Sequence, residues 1–250
     1  MQSAIVASIQ FKPKSSNVDY NLKVAQQYVF EAAAKGAKVI VLPELATSGN
    51  SFKNVRDAAL CSQDKNGYQT AVFSPIASKF KCHVVFGYPE LSEGLLYNSA
   101  AVVGPNGLET NIRKHNLWGN DNFWANPSDQ YPPVALTAAG RLGVLISSDI
   151  TNNFRDTYQF LNPKYSFYPK GSVDTIAVLS NWNDNYGYPD SRWLNLNESV
   201  DSNLIVSNRV GREGSSKFRG GSCIIDRNKK IWTNGSSFKN EAVVGGIILI

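Results

Sequence analysis

Hydrophobic and polar residues alternate from Ile5 to Phe11 with the two-residue period of a β-strand. A helical period follows, which predicts a helix from about Tyr20 with Asp19 as its N-cap and Gly36 as its stop. Val39–Leu42 is entirely apolar and predicts a short buried strand. This order of elements indicates a β-α-β unit in a sheet covered by helices. The apolar face predicted for the helix consists of Leu22, Ala25, Val29, Ala32 and Ala33.

The same patterns recur to the end of the chain. Ala71–Phe80 and Trp193–Val200 have helical patterns, whereas Pro105-Asn106-Gly107 and Ala139-Gly140 are turn sequences that predict two hairpins. Helices that alternate with many strands predict an α/β protein with mixed sheets. The remaining predicted strands are Cys82–Gly87, Tyr97–Val103, Leu108–Arg113, Val134–Thr137, Leu142–Ile146, Thr175–Leu179, Leu204–Val210, Ser222–Asp226, Lys230–Thr233 and Ala242–Ile250.

The composition is that of a globular protein with a sizeable core, since 42% of the 250 residues are hydrophobic. No internal repeat, low-complexity segment or linker divides the chain, so we expect one domain over residues 1–250. The apolar runs are too short to cross a membrane, and the first residues lack the pattern of a signal peptide. Three scattered cysteines do not make a disulfide framework, so we expect a reducing, cytoplasmic setting.

The net charge of +5 is mild and dispersed along the chain. Its densest cluster, Arg227–Lys230, has the composition of a solvated turn and carries no interleaved aromatic residues. Nucleic-acid binding is therefore not expected. No His/Cys cluster has metal-ligand spacing, and no glycine-rich phosphate-binding motif is present. We therefore expect neither a metal nor another cofactor.

Three candidate functional groups come directly after predicted strands: Glu44, Lys114 and Ser147. In α/β sheets, functional groups gather just beyond the strand ends, where the backbone is fixed and a crevice opens. A carboxylate, an ammonium and a small nucleophile suit acyl transfer, because one accepts a proton, one stabilises an oxyanion and one attacks. The alternative on these residues alone is that they are solvated strand caps.

Motifs around these residues resemble those of the nitrilase superfamily of carbon–nitrogen hydrolases, in the same order and over nearly the whole chain. The resemblance implies a four-layer α-β-β-α sandwich, an acyl-enzyme mechanism and a homodimer or higher homo-oligomer. The motifs are Leu42-Pro43-Glu44, Tyr97-Asn98-Ser99-Ala100, Arg113-Lys114, Gly143–Asp149, Ser180-Asn181-Trp182, Asn208-Arg209-Val210-Gly211 and Phe218–Ser222.

The resemblance implies a role for each residue of the family's Glu-Lys-Cys triad. Glu44 corresponds to the general base, and Lys114 to the cation that holds the tetrahedral intermediate. Ser147 stands at the position of the cysteine nucleophile, and the backbone N–H of Ser148 would help Lys114 to bind the oxyanion.

Two further parts of the site follow from the same resemblance. Many members have a second glutamate shortly after the lysine, and the nearest acid here is Asp121, which is shorter and could serve only if its loop moved inward. Asn181 and Trp182 correspond to a segment that lines the substrate pocket, although a structural strand end is an equal alternative.

Serine at the nucleophile position changes the expected activity. A thiol has a pKa of about 8.5 and is readily activated, whereas a serine hydroxyl normally needs a stronger base such as histidine. His83 is expected in the core, and His115 on the opposite side of the chain from Lys114. We therefore expect little or no hydrolysis. The chain is either an enzyme with an inactivating change or a natural non-catalytic relative that binds a ligand or partner.

The expected substrate is a small linear amide or N-carbamoyl compound rather than a nitrile, because the chain is short and lacks the C-terminal extension of typical true nitrilases. Specificity is expected in three loops, Ser48–Val55, Trp118–Asp129 and Phe154–Lys170. The third is rich in aromatic residues, which predicts either a lid over the site or a dimer contact.

Overall fold

The computed structural model describes residues 2–150, 167–183, 190–234 and 239–249. Within them, helices and strands alternate as the hydrophobic pattern predicts. Among these residues no helix is both long and apolar enough to span a membrane. The helices are α1 (Val18–Ala34), α2 (Val55–Cys61), α3 (Tyr68–Ala71), α4 (Ser74–Phe80) and α5 (Asp190–Val200). The strands are β1 (Gln2–Gln10), β2 (Val39–Val41), β3 (His83–Ser92), β4 (Leu95–Gly104), β5 (Gly107–Arg113), β6 (Ala135–Thr137), β7 (Gly140–Ile146), β8 (Thr175–Ser180), β9 (Asn203–Asn208), β10 (Val210–Glu213), β11 (Ser216–Arg219), β12 (Cys223–Ile225), β13 (Ile231–Asn234) and β14 (Glu241–Leu249).

The strands form two six-stranded mixed sheets and one hairpin. The first sheet has the order β14-β1-β2-β3-β4-β5, and the second has the order β13-β12-β9-β8-β7-β6. Parallel pairs lie at the centre of each, β1-β2-β3 in the first and β7-β8-β9 in the second. Antiparallel pairs extend both sheets to their edges, and β10 and β11 form the separate hairpin.

The two sheets stack face to face and carry helices on their outer faces. In β1, Val6 packs between the sheets, while its neighbour Ala7 packs against the layer that contains α1 and α4. A third cluster, which includes Trp193 of α5, covers the outer face of the second sheet. Strands buried on both faces read as apolar runs, which explains the composition of β2 and β8. The expected four-layer α-β-β-α sandwich is confirmed.

Several predicted boundaries were wrong for local reasons. Helix α1 begins at Val18, because the Asn17 side chain caps it by accepting from the Tyr20 N–H; Asp19 lies within the first turn. The predicted helix Ala71–Phe80 begins only at Ser74, as α4, with a proline at its first turn, where no N–H is needed. Ala71 is instead the last residue of α3. The predicted strand Leu204–Val210 is also divided, because β9 ends at Asn208 and β10, the first strand of the β10–β11 hairpin, begins at Val210.

Candidate active site

Glu44 follows Leu42 and Pro43 after the end of β2, in a turn that passes very close to β3. The approach is possible because Gly87 has no side chain: a Cβ there would lie 2.5 Å from the Leu45 nitrogen. The Glu44 side chain is 2% exposed. Its Oε1 accepts from Lys114 Nζ at 2.7 Å and from Asn98 Nδ2 at 2.8 Å. The turn therefore delivers a buried carboxylate with one oxygen fully engaged.

Lys114 follows β5, and its ammonium lies between two carboxylates. Besides Glu44, it donates to Asp121 Oδ2 at 2.5 Å. The short 3₁₀ turn Gly119–Phe123 holds Asp121 in this place, so its side chain reaches the site from its own loop. Burial acts to lower the pKa of Lys114, but the two carboxylates outweigh it and raise that pKa well above its ordinary value. Lys114 is therefore a firmly protonated cation.

Lys114 alone does not balance the charges of the two carboxylates, Glu44 and Asp121. Burial raises the pKa of Asp121, the lysine opposes that shift, and the nearby charge of Glu44 adds to it. Asn98 Nδ2 donates to both carboxylates, with its bond to Asp121 Oδ1 at 3.2 Å. Two acids thus share one ammonium and one amide N–H₂ group.

Ser147 lies at the end of β7 with a backbone φ of +42°, an uncommon value for a residue other than glycine. Its Oγ donates to Glu44 Oε2 at 2.5 Å and accepts from the Asn181 N–H at 3.0 Å. The structure therefore brings Glu44, Lys114 and Ser147 together, with Asp121 beside them. Strained backbone of this kind persists where the surrounding structure fixes it, and it is concentrated at functional sites.

The remaining predicted site residues lie around Ser147. The Ser148 hydroxyl donates to the Asn116 carbonyl. The side-chain amide of Asn181 is buried, and neither its Oδ1 nor its Nδ2 has a partner within the described structure. Trp182 packs edge-on against Trp193 at 6.0 Å, within the core beneath the second sheet. Of the pair, Asn181 is the one that lines a cleft.

A cleft of about 520 Å³ opens beside Asn181. Its lining includes parts of two of the predicted specificity loops, Ser48–Val55 and Trp118–Asp129. Residues 154–166 of the third predicted loop lie outside the described structure. A larger cleft, of about 650 Å³, lies along β5 around Arg113, and neither Ser147 nor Asn181 lines it. Of these two clefts, the smaller one adjoins this site, through Asn181, whose N–H donates to Ser147; Glu44, Lys114 and Ser147 do not line it.

A buried ion pair supports one wall of the smaller cleft. Arg209 Nη1 lies 2.5 Å from Glu213 Oε2, and both side chains are almost fully buried. Glu213 also accepts from the Asn50 N–H, at 3.0 and 3.2 Å to its two oxygens. The carboxylate thus connects the loop after Glu44 to the β10–β11 hairpin, and its charge is neutralised by Arg209.

The carbon–nitrogen hydrolase family model matches residues 5–153, more than half of the chain. The chain belongs to the carbon–nitrogen hydrolase family. The resemblance to the nitrilase superfamily is therefore confirmed. This hydrolase is similar to a nitrilase from Pyrococcus abyssi, at 29% identity over 98% of this chain and 89% of the relative. It is also similar to a protein N-terminal amidase from Schizosaccharomyces pombe, at 25% identity over 87% of this chain and 89% of that relative.

Solved structures of the family share the fold. A CN-hydrolase superfamily protein from Xanthomonas campestris superposes with a TM-score of 0.84, at 17% identity, over 99% of this chain and 91% of that one. This likeness concerns the fold alone. It agrees with the two stacked sheets and their outer helices.

Both histidines of this hydrolase are engaged elsewhere. His83 Nε2 lies 3.1 Å from Glu109 Oε1, and the His115 ring nitrogen Nε2 lies 2.5 Å from the Gln130 carbonyl oxygen. The Ser147 hydroxyl bonds to Glu44 instead. A carboxylate is therefore the base in contact with this serine.

Two site residues were missed by the sequence analysis, although both lie within its motifs. Asn98 is a polar residue inside the apolar strand β4, and it links Glu44 to Asp121. Asp149 follows Ser148 and is buried, with its carboxylate bonded to backbone N–H groups. A polar residue inside an apolar motif was the available signal in each case.

Proposed function

We propose that this hydrolase has an amidase-type site in which Ser147 occupies the nucleophile position, Glu44 is the base and Lys114 is the oxyanion-binding cation. The observation that carries the proposal is the 2.5 Å hydrogen bond from Ser147 Oγ to Glu44 Oε2. The other oxygen of the same carboxylate lies 2.7 Å from Lys114 Nζ. One carboxylate is therefore in direct contact with both partners that acyl transfer requires.

The proposed reaction transfers an acyl group in two steps. The nucleophile attacks the carbonyl carbon of the substrate while its proton passes to Glu44. The carbonyl oxygen becomes an oxyanion held by Lys114 and by the N–H of Ser148. The C–N bond then breaks, the amine or ammonia leaves with the proton from Glu44, and water releases the acid with Glu44 again as base. Asp121 holds the ammonium of Lys114 in place.

Serine makes the first step unfavourable. A carboxylate is a weak base for an alcohol, and one oxygen of Glu44 already accepts from Lys114. A thiol in the same place loses its proton far more readily. We therefore propose that this chain binds its substrate but hydrolyses it slowly or not at all, as an enzyme with an inactivating change. A natural non-catalytic binding protein is the second candidate, and serine at this position is the observation that favours it.

The proposed substrate is a small linear amide or an N-carbamoyl compound. The buried amide of Asn181 offers one acceptor and one donor, and a carboxamide or carbamoyl group offers the complementary pair. A nitrile offers only an acceptor and would leave Oδ1 unsatisfied, at a cost of about 1–3 kcal/mol. The amidase name of one relative agrees with this preference.

Replacement of Ser147 by cysteine tests the function directly. We expect Ser147→Cys to release ammonia from at least one linear amide or carbamoyl compound, and the unchanged chain to release little. Glu44→Gln in the Ser147→Cys background should lower the rate by about 100-fold or more, because the general base is lost. A folded Ser147→Cys protein that releases no ammonia from amides, carbamoyl compounds or nitriles would instead support the non-catalytic binding protein.

The proposal extends to the assembly and setting of the chain. We propose one domain over residues 1–250, a homodimer or higher homo-oligomer, and a reducing cytoplasmic location. The three cysteines, Cys61, Cys82 and Cys223, are buried and not joined in a disulfide, which agrees with that location. Sedimentation equilibrium of the purified chain measures the oligomeric state, and a monomer at micromolar concentration would contradict the dimer.

A further inference from the structure

We infer that Asp149 is a positioning residue. Its carboxylate fixes the position of the turn that carries Ser147 relative to the chain segment that carries Lys114. The inference rests on the proposed function, because it assigns those two residues to one reaction. Asp149 is 1% exposed and does not line the cleft beside Asn181. Within the described part of the chain, its carboxylate bonds to backbone N–H groups and not to the side chains of Glu44, Lys114 or Ser147. Its effect on the reaction is therefore exerted through the backbone.

The Asp149 carboxylate bonds to two separate parts of the chain. Its Oδ1 accepts from the N–H groups of His115 and Asn116 at 2.9 and 2.8 Å, directly after Lys114. Its Oδ2 accepts from the Ile146 N–H at 3.3 Å, directly before Ser147. One side chain thus joins the strand end that carries the cation to the strand end that carries the nucleophile.

Ser147 needs such support because its backbone conformation is unfavourable. A residue other than glycine at a φ of +42° is strained, and the strain persists only where neighbouring contacts hold the chain on both sides. Asp149 follows the strained residue, and its bond to Ile146 fixes the residue before it. Ser148 adds a second tie through its hydroxyl, which donates to the Asn116 carbonyl. Loss of the Asp149 bonds should let the turn relax and move the nucleophile away from Glu44.

The burial of Asp149 makes its support of the Ser147 turn sensitive to pH. Burial raises the pKa of Asp149 to about 6, although the Asn116 N–H, Lys114 and His115 oppose the shift. The charge of Asp149 in turn raises the pKa of the Tyr168 phenol, which therefore stays neutral near neutral pH. A proton on Oδ2 removes the acceptor of Ile146 while Oδ1 keeps its two bonds. The folded-state pKa of Asp149 is above its ordinary value, so protonation of this carboxyl favours the folded state. Mild acid therefore loosens the turn that carries Ser147, but protonation of Asp149 does not unfold the chain.

Alkylation of a cysteine at position 147 tests the inference without a substrate. We expect Asp149→Asn, in the Ser147→Cys background, to slow the reaction with iodoacetamide by about tenfold at neutral pH, since small displacements at a reacting group are costly. The ratio of the two rates should fall towards one below about pH 6, where Asp149 itself becomes neutral. The chain with Ser147 gives the background from its three buried cysteines.

Asp226→Asn is the matched control. Asp226 is also buried and also accepts backbone N–H groups, from Asn228 and Lys230, but it lies after β12 and away from Ser147. We expect this change to leave the alkylation rate within about twofold of the parent, since it lies outside the network around the turn. Equal rates with aspartate and asparagine at position 149, or equal slowing by Asp226→Asn, would overturn the inference. If the Ser147→Cys protein released no ammonia, the proposed function would be contradicted, but the alkylation rates would still test the role of Asp149.

Hydrogen exchange keeps the inference testable if Asp149→Asn fails to fold. In the unchanged chain, protection of the Ile146 amide, corrected for the intrinsic rate, should be lower at about pH 5 than at about pH 7. The amides of Asn228 and Lys230 serve as the reference. Unchanged protection at Ile146 across this range would contradict the role assigned to Asp149.

Discussion

Ser147 Oγ donates to Glu44 Oε2 across 2.5 Å, and this contact links residues that follow strands of the two different sheets. Glu44 follows β2 of the first sheet, whereas Ser147 follows β7 of the second. The stack is itself fixed by cross-sheet bonds, in which the Ser8 hydroxyl donates to the Val206 carbonyl and the Ser207 hydroxyl to that of Ile9. The site therefore depends on the packing of both sheets.

Removal of the central cation should destabilise the fold strongly. We expect Lys114→Met to lower the free energy of unfolding by about 3–5 kcal/mol near neutral pH, because two buried carboxylates lose their shared partner. Without the lysine, the pKa of Asp121 should rise further. The folded state would then bind a proton that the unfolded state does not, and the loss of stability should shrink as the pH falls.

Urea denaturation at about pH 7 and about pH 5 measures this difference. Lys38→Met is the control, since Lys38 Nζ donates to the Phe80 carbonyl and, among the described residues, to no carboxylate. An equal cost for both lysines, or a cost that does not change with pH, would show that Lys114 does not balance the two acids.

The close approach at Gly87 gives a second prediction. Alanine there would bring its Cβ to 2.5 Å from the Leu45 nitrogen and 2.8 Å from Glu44 Cα, both backbone atoms that cannot rotate away. We expect Gly87→Ala to lower the free energy of unfolding by about 1–3 kcal/mol and to slow alkylation of a cysteine at position 147. Gly246→Ala, in a strand with open space at that Cβ position, is the control. Wild-type stability of Gly87→Ala would mean that the Glu44 turn is not held against β3.

The sequence predicted the three groups that follow strands because a strand end fixes where its next residue lies. Glu44, Lys114 and Ser147 each come after a strand, and sheet geometry brings such ends together. The same reasoning predicted the helical face of α1, which is buried as expected. Periodicity is therefore sufficient for elements whose burial is regular.

The contacts between those groups could not be read from periodicity. Asp121 reaches Lys114 because a 3₁₀ turn carries it inward, and short turns have no hydrophobic period. Asp149 and Asn98 act through hydrogen bonds to segments far away in the chain. The helical pattern of Ala71–Phe80 likewise contains no signal for the break at residues 72 and 73, between α3 and α4.

The unpartnered amide of Asn181 predicts how the site selects its ligand. In the chain with Ser147, we expect Asn181→Leu to weaken the binding of a small carboxamide by about tenfold and that of the matching nitrile by less, because only the carboxamide uses both the donor and the acceptor. Asn181→Asp should also discriminate against the carboxamide, since an ionised carboxylate only accepts. Calorimetric titration measures both affinities, with Ser215→Ala, an exposed residue of the same cleft, as the control. Equal losses of affinity for the carboxamide and the nitrile would show that Asn181 contributes packing but no selective hydrogen bonds. Asn181 would then not explain a preference for amides over nitriles.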